Sequence, residues 1–264
     1  MKLRMITGLL MLLVITGCNN QQATAKNSTK PVEKTEIKKS KPKSKTKPKV
    51  SSILDNLKSS PEKQLQYYAL GDSLSVGLFS DSQATRFSTL FAKSLESKTG
   101  KPVIESNASS VGKTVTNFGV HHIQDVVAKQ PDIITVEFGT NDAAYGVDPT
   151  NVNNFVTNLN TVIAQLKSQT KAQIILMTSW SSSNGKYIRN DQLYDQKIKE
   201  IGNKYQVPVV DLSTIWTNNP TVTKNDYGVS NVYNIQKDEF HPNQQGHQAI
   251  ADLLIKTVEE TKTN

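Results

Sequence analysis

From residue 65 to the end of the chain, short apolar runs alternate with longer stretches of helical periodicity. That order restricts the fold more than any other feature, because strands alternating with helices close into parallel βαβ units. Strand candidates fall at 65–70, 103–106, 133–138, 173–178 and 207–211. Between them lie amphipathic stretches at 85–97, 115–128, 152–166 and 192–205, and a last one at 244–260 carries Ile250, Leu253, Leu254 and Val258 at helical spacing. Five strands and five helices predict one three-layer α/β domain with a five-stranded parallel sheet, and no internal repeat interrupts it.

Ligands of an open parallel sheet bind beyond the carboxyl ends of the strands. Four segments at such places are unusual: Gly71-Asp72-Ser73-Leu74-Ser75, Asn107 to Gly112, Gly139-Thr140-Asn141-Asp142, and Asp238-Glu239-Phe240-His241-Pro242. A serine after a strand is commonly only a turn former or helix cap. Here Gly71 permits a sharp turn and Gly77 a close backbone approach, which presents Ser73 at a helix start, as an activated nucleophile requires. A carboxylate three residues before a histidine on a short turn can reach its Nδ1. Asp238 would thereby fix the tautomer of His241 and leave Nε2 to take the serine proton, with Glu239 and Asp226 as alternative third members.

In these four blocks the sequence resembles the GDSL or SGNH hydrolases, flavodoxin-like esterases and lipases named for a Ser, a Gly, an Asn and a His. Gly71-Asp72-Ser73-Leu74 matches the nucleophile block, Gly112 the glycine block, Gly139-Thr140-Asn141-Asp142 the asparagine block, and Asp238 with His241 the Asp-x-x-His block. The resemblance covers 65–262; Lys113 departs from it, since that position is often acidic in the family. It implies a serine esterase acting through an acyl-enzyme. The oxyanion would be held by the Ser73 and Gly112 backbone N–H groups and the Asn141 side-chain amide. Asp72 and Asp142 are then expected to brace their loops. His122 and His247 read as structural and His121 as solvated; no spacing suits a metal, and no organic cofactor is expected. Tyr145, Trp180, Trp216, Tyr227 and Tyr233 fall in loops beyond the sheet and are expected, as a group, to line an acyl or sugar pocket, Tyr145, Trp180 and Trp216 foremost. The long segment 213–237 is the natural seat of specificity.

Before residue 65 the composition changes. Lys2 and Arg4 precede an apolar run from Ile6 to Ile15, and Ile15-Thr16-Gly17-Cys18 resembles the lipobox of bacterial lipoproteins. Residues 1–17 are therefore expected to be a signal peptide and Cys18, the single cysteine, to be lipidated. Residues 18–64 read as the lipidated residue and a disordered tether. Ten of the chain's 31 basic residues lie in 19–50 against Glu33 and Glu36, whereas 65–264 holds 17 basic and 19 acidic residues. The formal charge of +8 thus belongs to a separable tail, which argues against a globular nucleic-acid binder. The tail would extend by self-repulsion or contact anionic lipids or wall polymers. The expected protein is a lipid-anchored enzyme on the outer face of the bacterial cytoplasmic membrane. It would hydrolyse esters of short or medium acyl chains on lipids or acylated envelope glycans. The rival readings are a wall-polysaccharide deacetylase of the same fold and a non-catalytic ligand-binding lipoprotein.

Overall fold

The computed structural model describes residues 50–182 and 188–263. The expected signal peptide, Cys18 and the expected tether up to residue 49 lie outside the described residues. In chain order the elements are β1 (Ser51–Ser52), α1 (Ile53–Ser59), β2 (Leu65–Gly71), α2 (Ser73–Val76), α3 (Phe87–Thr99), β3 (Val103–Ser109) and α4 (Ile123–Ala128). There follow β4 (Ile133–Glu137), α5 (Thr140–Ala144), α6 (Pro149–Gln169), β5 (Gln173–Met177) and α7 (Ile188–Tyr205). The chain ends with β6 (Val209–Val210), α8 (Ser213–Asn218), α9 (Gln244–Glu260) and β7 (Lys262–Thr263).

β2 to β6 form one parallel sheet in the order β3-β2-β4-β5-β6. Alternate residues of each strand point to opposite faces, and each face is covered by its own helices. Leu65, Tyr67 and Ala69 of β2 meet Ile175 and Met177 of β5 under α1, α3, α8 and α9. Tyr68 and Leu70 meet Ile134, Val136, Ile174 and Leu176 under α4, α6 and α7. The helices start where side chains can satisfy free N–H groups. Asp148 accepts from Thr150 N and Asn151 N ahead of Pro149 in α6, and Asn243 accepts from Gly246 N at the start of α9.

The domain begins earlier than residue 65. Already at residue 51 the chain joins the domain: β1 pairs antiparallel with β7, and α1 buries Ile53, Leu54 and Leu57 against α3 and α9. Ser52 and Asp55 form a capping box, and Lys101 Nζ donates to the carbonyls of Leu57 and Ser60. A seven-residue helix offers too short a periodicity to stand out beside a lysine-rich tail, so the expected boundary at 64 is moved back to about residue 50. The helix expected over 115–128 also shortens. Only Ile123–Ala128 is α-helical, preceded by the 3₁₀ turn Gly119–His122.

Leu57 is 4% exposed. Leu57→Ala is expected to lose about 2–5 kcal/mol of unfolding free energy in urea, whereas deletion of residues 19–49 should leave the midpoint in place; equal effects would place α1 outside the fold.

Candidate active site

β2 delivers the nucleophile block. A Cβ at Gly71 would collide with Ser75 Oγ and with Glu137, so only glycine lets β2 pass this close to the end of β4. Asp72 then caps the single turn of α2, its Oδ1 accepting from Leu74 N at 3.0 Å. Gly77 ends that turn in the left-handed region (φ +91°), where Arg86 and Tyr233 leave no space for a side chain. The result places Ser73 as the first residue of a helix, 7% exposed, with its backbone N–H bonded to no protein acceptor among the described residues.

Three blocks are joined beneath the serine by buried carboxyl groups. Glu137 is fully buried at the end of β4, and its Oε2 accepts from Asp72 N at 3.1 Å and from Ser75 Oγ at 3.0 Å. Burial, and after it the charge of Asp72, pushes the Glu137 carboxyl well above the ordinary range. No cation among the described residues bonds it, so the protonated form of Glu137 is favoured, with the negative charge of the pair favoured on Asp72. Asp72 is itself raised by burial, but the Leu74 N–H, His241 and the Asn141 amide all favour its ionised form. Asn141 Nδ2 donates to Asp72 Oδ2 at 2.8 Å and to the Lys113 carbonyl at 3.0 Å. Next to it, burial pushes Asp142 up to about 7.

The fourth block is a turn at the start of α9. Asp238 Oδ1 accepts from the backbone N–H groups of Phe240 (2.9 Å) and His241 (2.8 Å), and its Oδ2 lies 2.7 Å from His241 Nδ1. Partial burial works to raise Asp238, yet the hydrogen bond and charge of His241 outweigh it and hold the carboxyl below its usual value. His241 Nε2 stands 3.0 Å from Ser73 Oγ. Phe79 and Phe240 flank the imidazole in T-shaped contacts, and Asn225 Nδ2 ties the turn through the carbonyls of Asp238 and His241. A serine hydroxyl, an imidazole and an ionised carboxylate in this order can move a proton from Ser73 Oγ to Nε2 while the carboxylate stabilises the imidazolium.

Of the alternatives for the third position, Glu239 accepts from Tyr227 and Asp226 pairs with Lys237, so neither reaches the histidine. The Gly112 N–H also bonds to no protein acceptor among the described residues, at φ +73° on an exposed turn. Both donors of Asn141 are engaged, so an oxyanion at Ser73 would compete with Asp72 and Lys113 for them. Trp180 and Trp216, expected on a pocket wall, are core residues. Trp180 is 1% exposed, donates its indole N–H to the Phe240 carbonyl at 2.7 Å and packs edgewise on Trp216. Trp216 lies on the buried side of α8 rather than in a loop, and both rings join the core cluster, from which Trp180 holds the histidine turn. Tyr233 braces α2 through Ser80 and the Val76 carbonyl, while Tyr227 and Tyr145 are exposed. His247 is buried, bonds the Leu78 carbonyl and is pushed down to about 4 by desolvation; His122 stacks on Phe118. Glu137 was not singled out from the sequence. Its signal was there: a lone carboxylate closing the apolar run Ile-Ile-Thr-Val.

A three-layer α/β sandwich with a Ser–His–Asp relay beyond the carboxyl ends of its strands is the arrangement of an α/β serine hydrolase. The chain belongs to the GDSL-like lipase/acylhydrolase family, whose model matches residues 69–249, and is a carboxylic ester hydrolase. No curated protein sequence matches it. Its structure is similar to that of a lipase/acylhydrolase from Enterococcus faecalis (TM-score 0.59, 22% identity, covering 76% of this chain and 98% of that one). It is also similar to an acetylxylan esterase from Geobacillus stearothermophilus (0.58, 20%, 74% and 94%). A psychrotrophic esterase from Pseudoalteromonas sp. gives 0.57 at 18% identity, covering 75% and 98%. These likenesses establish the SGNH hydrolase fold.

Glu137→Gln keeps an oxygen for Asp72 N and Ser75 Oγ and a donor for the Asp72 carboxylate, so it should retain activity; Glu137→Leu strands those groups and should lose about 10²-fold in kcat. The folded chain holds a proton on Glu137 that the unfolded chain releases above about pH 4.3. Wild-type stability should therefore fall, relative to Glu137→Gln, as pH rises through 5 to 8. A difference independent of pH in thermal melts would show Glu137 to be ionised in the fold.

Proposed function

We propose that Ser73 is the nucleophile, His241 the general base and acid, and Asp238 its orienting partner in hydrolysis of short or medium acyl esters carried on envelope glycans or lipids. The observation that carries this reading is the continuous relay of 2.7 Å and 3.0 Å from Asp238 through His241 to Ser73. Ser73 Oγ attacks the ester carbonyl carbon as Nε2 takes its proton, and the tetrahedral oxyanion faces the Ser73 and Gly112 N–H groups and the Asn141 amide. Collapse breaks the bond to the alcohol oxygen, which leaves with the proton from Nε2. Water then attacks the acyl-enzyme by the same route and frees the acid and Ser73. A binding protein would need none of this order among three side chains.

Ser73→Ala and His241→Ala should each lower kcat on a soluble ester by at least about 10³-fold with little loss of stability, and the double variant should be hardly worse than either. A fluorophosphonate probe should label the wild type and not Ser73→Ala. Full activity in Ser73→Ala would overturn the assignment.

The proposal extends to location. The single cysteine stands where the N-terminal apolar run stops, followed by a lysine-rich segment, which supports export and lipidation at Cys18 with the tail as tether. Cys18→Ala is expected to leave the protein unprocessed or free of the membrane fraction in 1 M salt, where electrostatic attachment is screened (Debye length about 3 Å). Processed Cys18→Ala protein that still sediments with membranes would refute lipid anchoring.

A further inference from the structure

A cavity of about 190 Å³ lies beside the reaction centre, between the turn 114–117, the end of α5 and the first turns of α6. At liquid density about six waters would fill such a space, which is room for one sugar ring. It shares a wall with the site. The Lys113 carbonyl that receives Asn141 Nδ2 immediately precedes Thr114, and Asp142, on the cavity wall, immediately follows Asn141. Tyr145 stands one helical turn beyond Asn141, on the same side of α5. Tyr145 lines the cavity and is 66% exposed.

The chemistry of the lining is uniform. Hydroxyls and carboxamides make up most of it, and among the described residues no lysine or arginine lines it to favour an anion. The one carboxyl among the described lining residues, Asp142, is 5% exposed and accepts from Val115 N. Hydrogen bonds within the wall fix the amides without exhausting them. Thr114 and Asn117 hold each other, Thr114 N donating to Asn117 Oδ1 at 2.9 Å and Asn117 N to Thr114 Oγ1 at 3.0 Å, which leaves Asn117 Nδ2 to donate. Asn158 Nδ2 donates to Thr116 Oγ1, leaving that hydroxyl a proton to offer. Asn151 Nδ2 is taken by the Tyr145 carbonyl and Asp148, leaving its Oδ1 to accept. The Asn154 amide bonds to no protein group among the described residues. Asn151, Asn154 and Asn158 follow one another along a single side of α6, where each is a poorer helix former than alanine by about half a kcal/mol. An acyl chain laid here would desolvate unpaired amides, which is unfavourable. Sugar hydroxyls, each both donor and acceptor, match them, and a pyranose C–H face matches the tyrosine ring.

We propose that this cavity is a subsite for a neutral sugar ring, a neighbour of the ring that carries the ester. The proposal rests on the reading of the chain as an esterase of acylated glycans, and the two are separable. The probes are a partially O-acetylated xylo-oligosaccharide and 4-nitrophenyl acetate as substrates, and unacetylated xylotriose as ligand of the Ser73→Ala protein. The wild type should favour the oligosaccharide. The ratio of its kcat/KM to that for the aryl ester should fall about tenfold in Tyr145→Ala and in Asn154→Leu, through KM, in variants with wild-type melting curves. Xylotriose should shift the side-chain amide signals of Asn117 and Asn154 in Ser73→Ala. A wild type that favours the oligosaccharide, with the ratio unchanged in both variants, overturns the subsite and leaves the glycan esterase standing. Turnover of the aryl ester alone, with xylotriose shifts at Asn117 and Asn154, supports the subsite and refutes the glycan ester as substrate. Aryl ester turnover without those shifts overturns both.

Discussion

The hydrogen bond between His241 Nε2 and Ser73 Oγ closes a gap of 168 residues. Everything else in the domain serves to bring its two ends together. Ser73 is placed by β2, a central strand hydrogen-bonded on both sides by β3 and β4, so its position is held by two ladders. His241 is placed by a turn outside the sheet, and its position is held by what that turn touches. Asn225 ties its carbonyls, Trp180 takes the Phe240 carbonyl from below, and α9, capped by Asn243 two residues later, packs its apolar side on α3 and β2. The two tryptophans contribute to the site by fixing the backbone that carries its histidine.

Two carboxyl groups of the site are held in opposite states, and their surroundings explain why. Asp238 keeps contact with water, accepts two backbone N–H groups and faces an imidazole, so its charged form is favoured. Glu137 is sealed in the core with Asp72 as its nearest charge, so its neutral form is favoured. The neutral acid can do what a second carboxylate could not, which is to donate toward Asp72 while accepting from Ser75 and the Asp72 backbone. Asp72 in turn receives Asn141. The turn that carries Ser73, the end of β4 and the asparagine block are thus tied together by hydrogen bonds, which suits a site whose donors must stand in place before charge develops.

The surface around the site is divided by chemistry. Basic residues are concentrated in the N-terminal tail, while the folded domain is close to neutral with a slight acidic excess. On the Asn141 side of the cleft the wall is carboxamide and hydroxyl with an exposed tyrosine; on the His241 side, Tyr227, Val229 and Ile235 stand out from the 226–237 loop. A substrate with both polar and apolar parts would find each part a different wall.

The sequence by itself determined the order of strands and helices, the parallel sheet, and the four blocks at strand ends, because each is written in local periodicity or in short motifs. It also determined which serine, histidine and aspartate to consider, since spacing of three along a turn limits what an aspartate can reach. Four features came only from tertiary structure. Asp238 was separated from Glu239 and Asp226 by the partners those two already have. Trp180 and Trp216 turned out to be core residues, because a loop position in the chain does not say which side of the loop faces the sheet. The start of the domain near residue 50 depends on three apolar residues of α1 meeting α3 and α9, contacts too sparse in sequence to register as a pattern. Glu137 became part of the site only once its strand lay beside β2, where burial favours its neutral form and it accepts from Asp72 N and Ser75 Oγ. Such a protonation state follows from the surroundings of a residue, and a sequence lists residues without their surroundings.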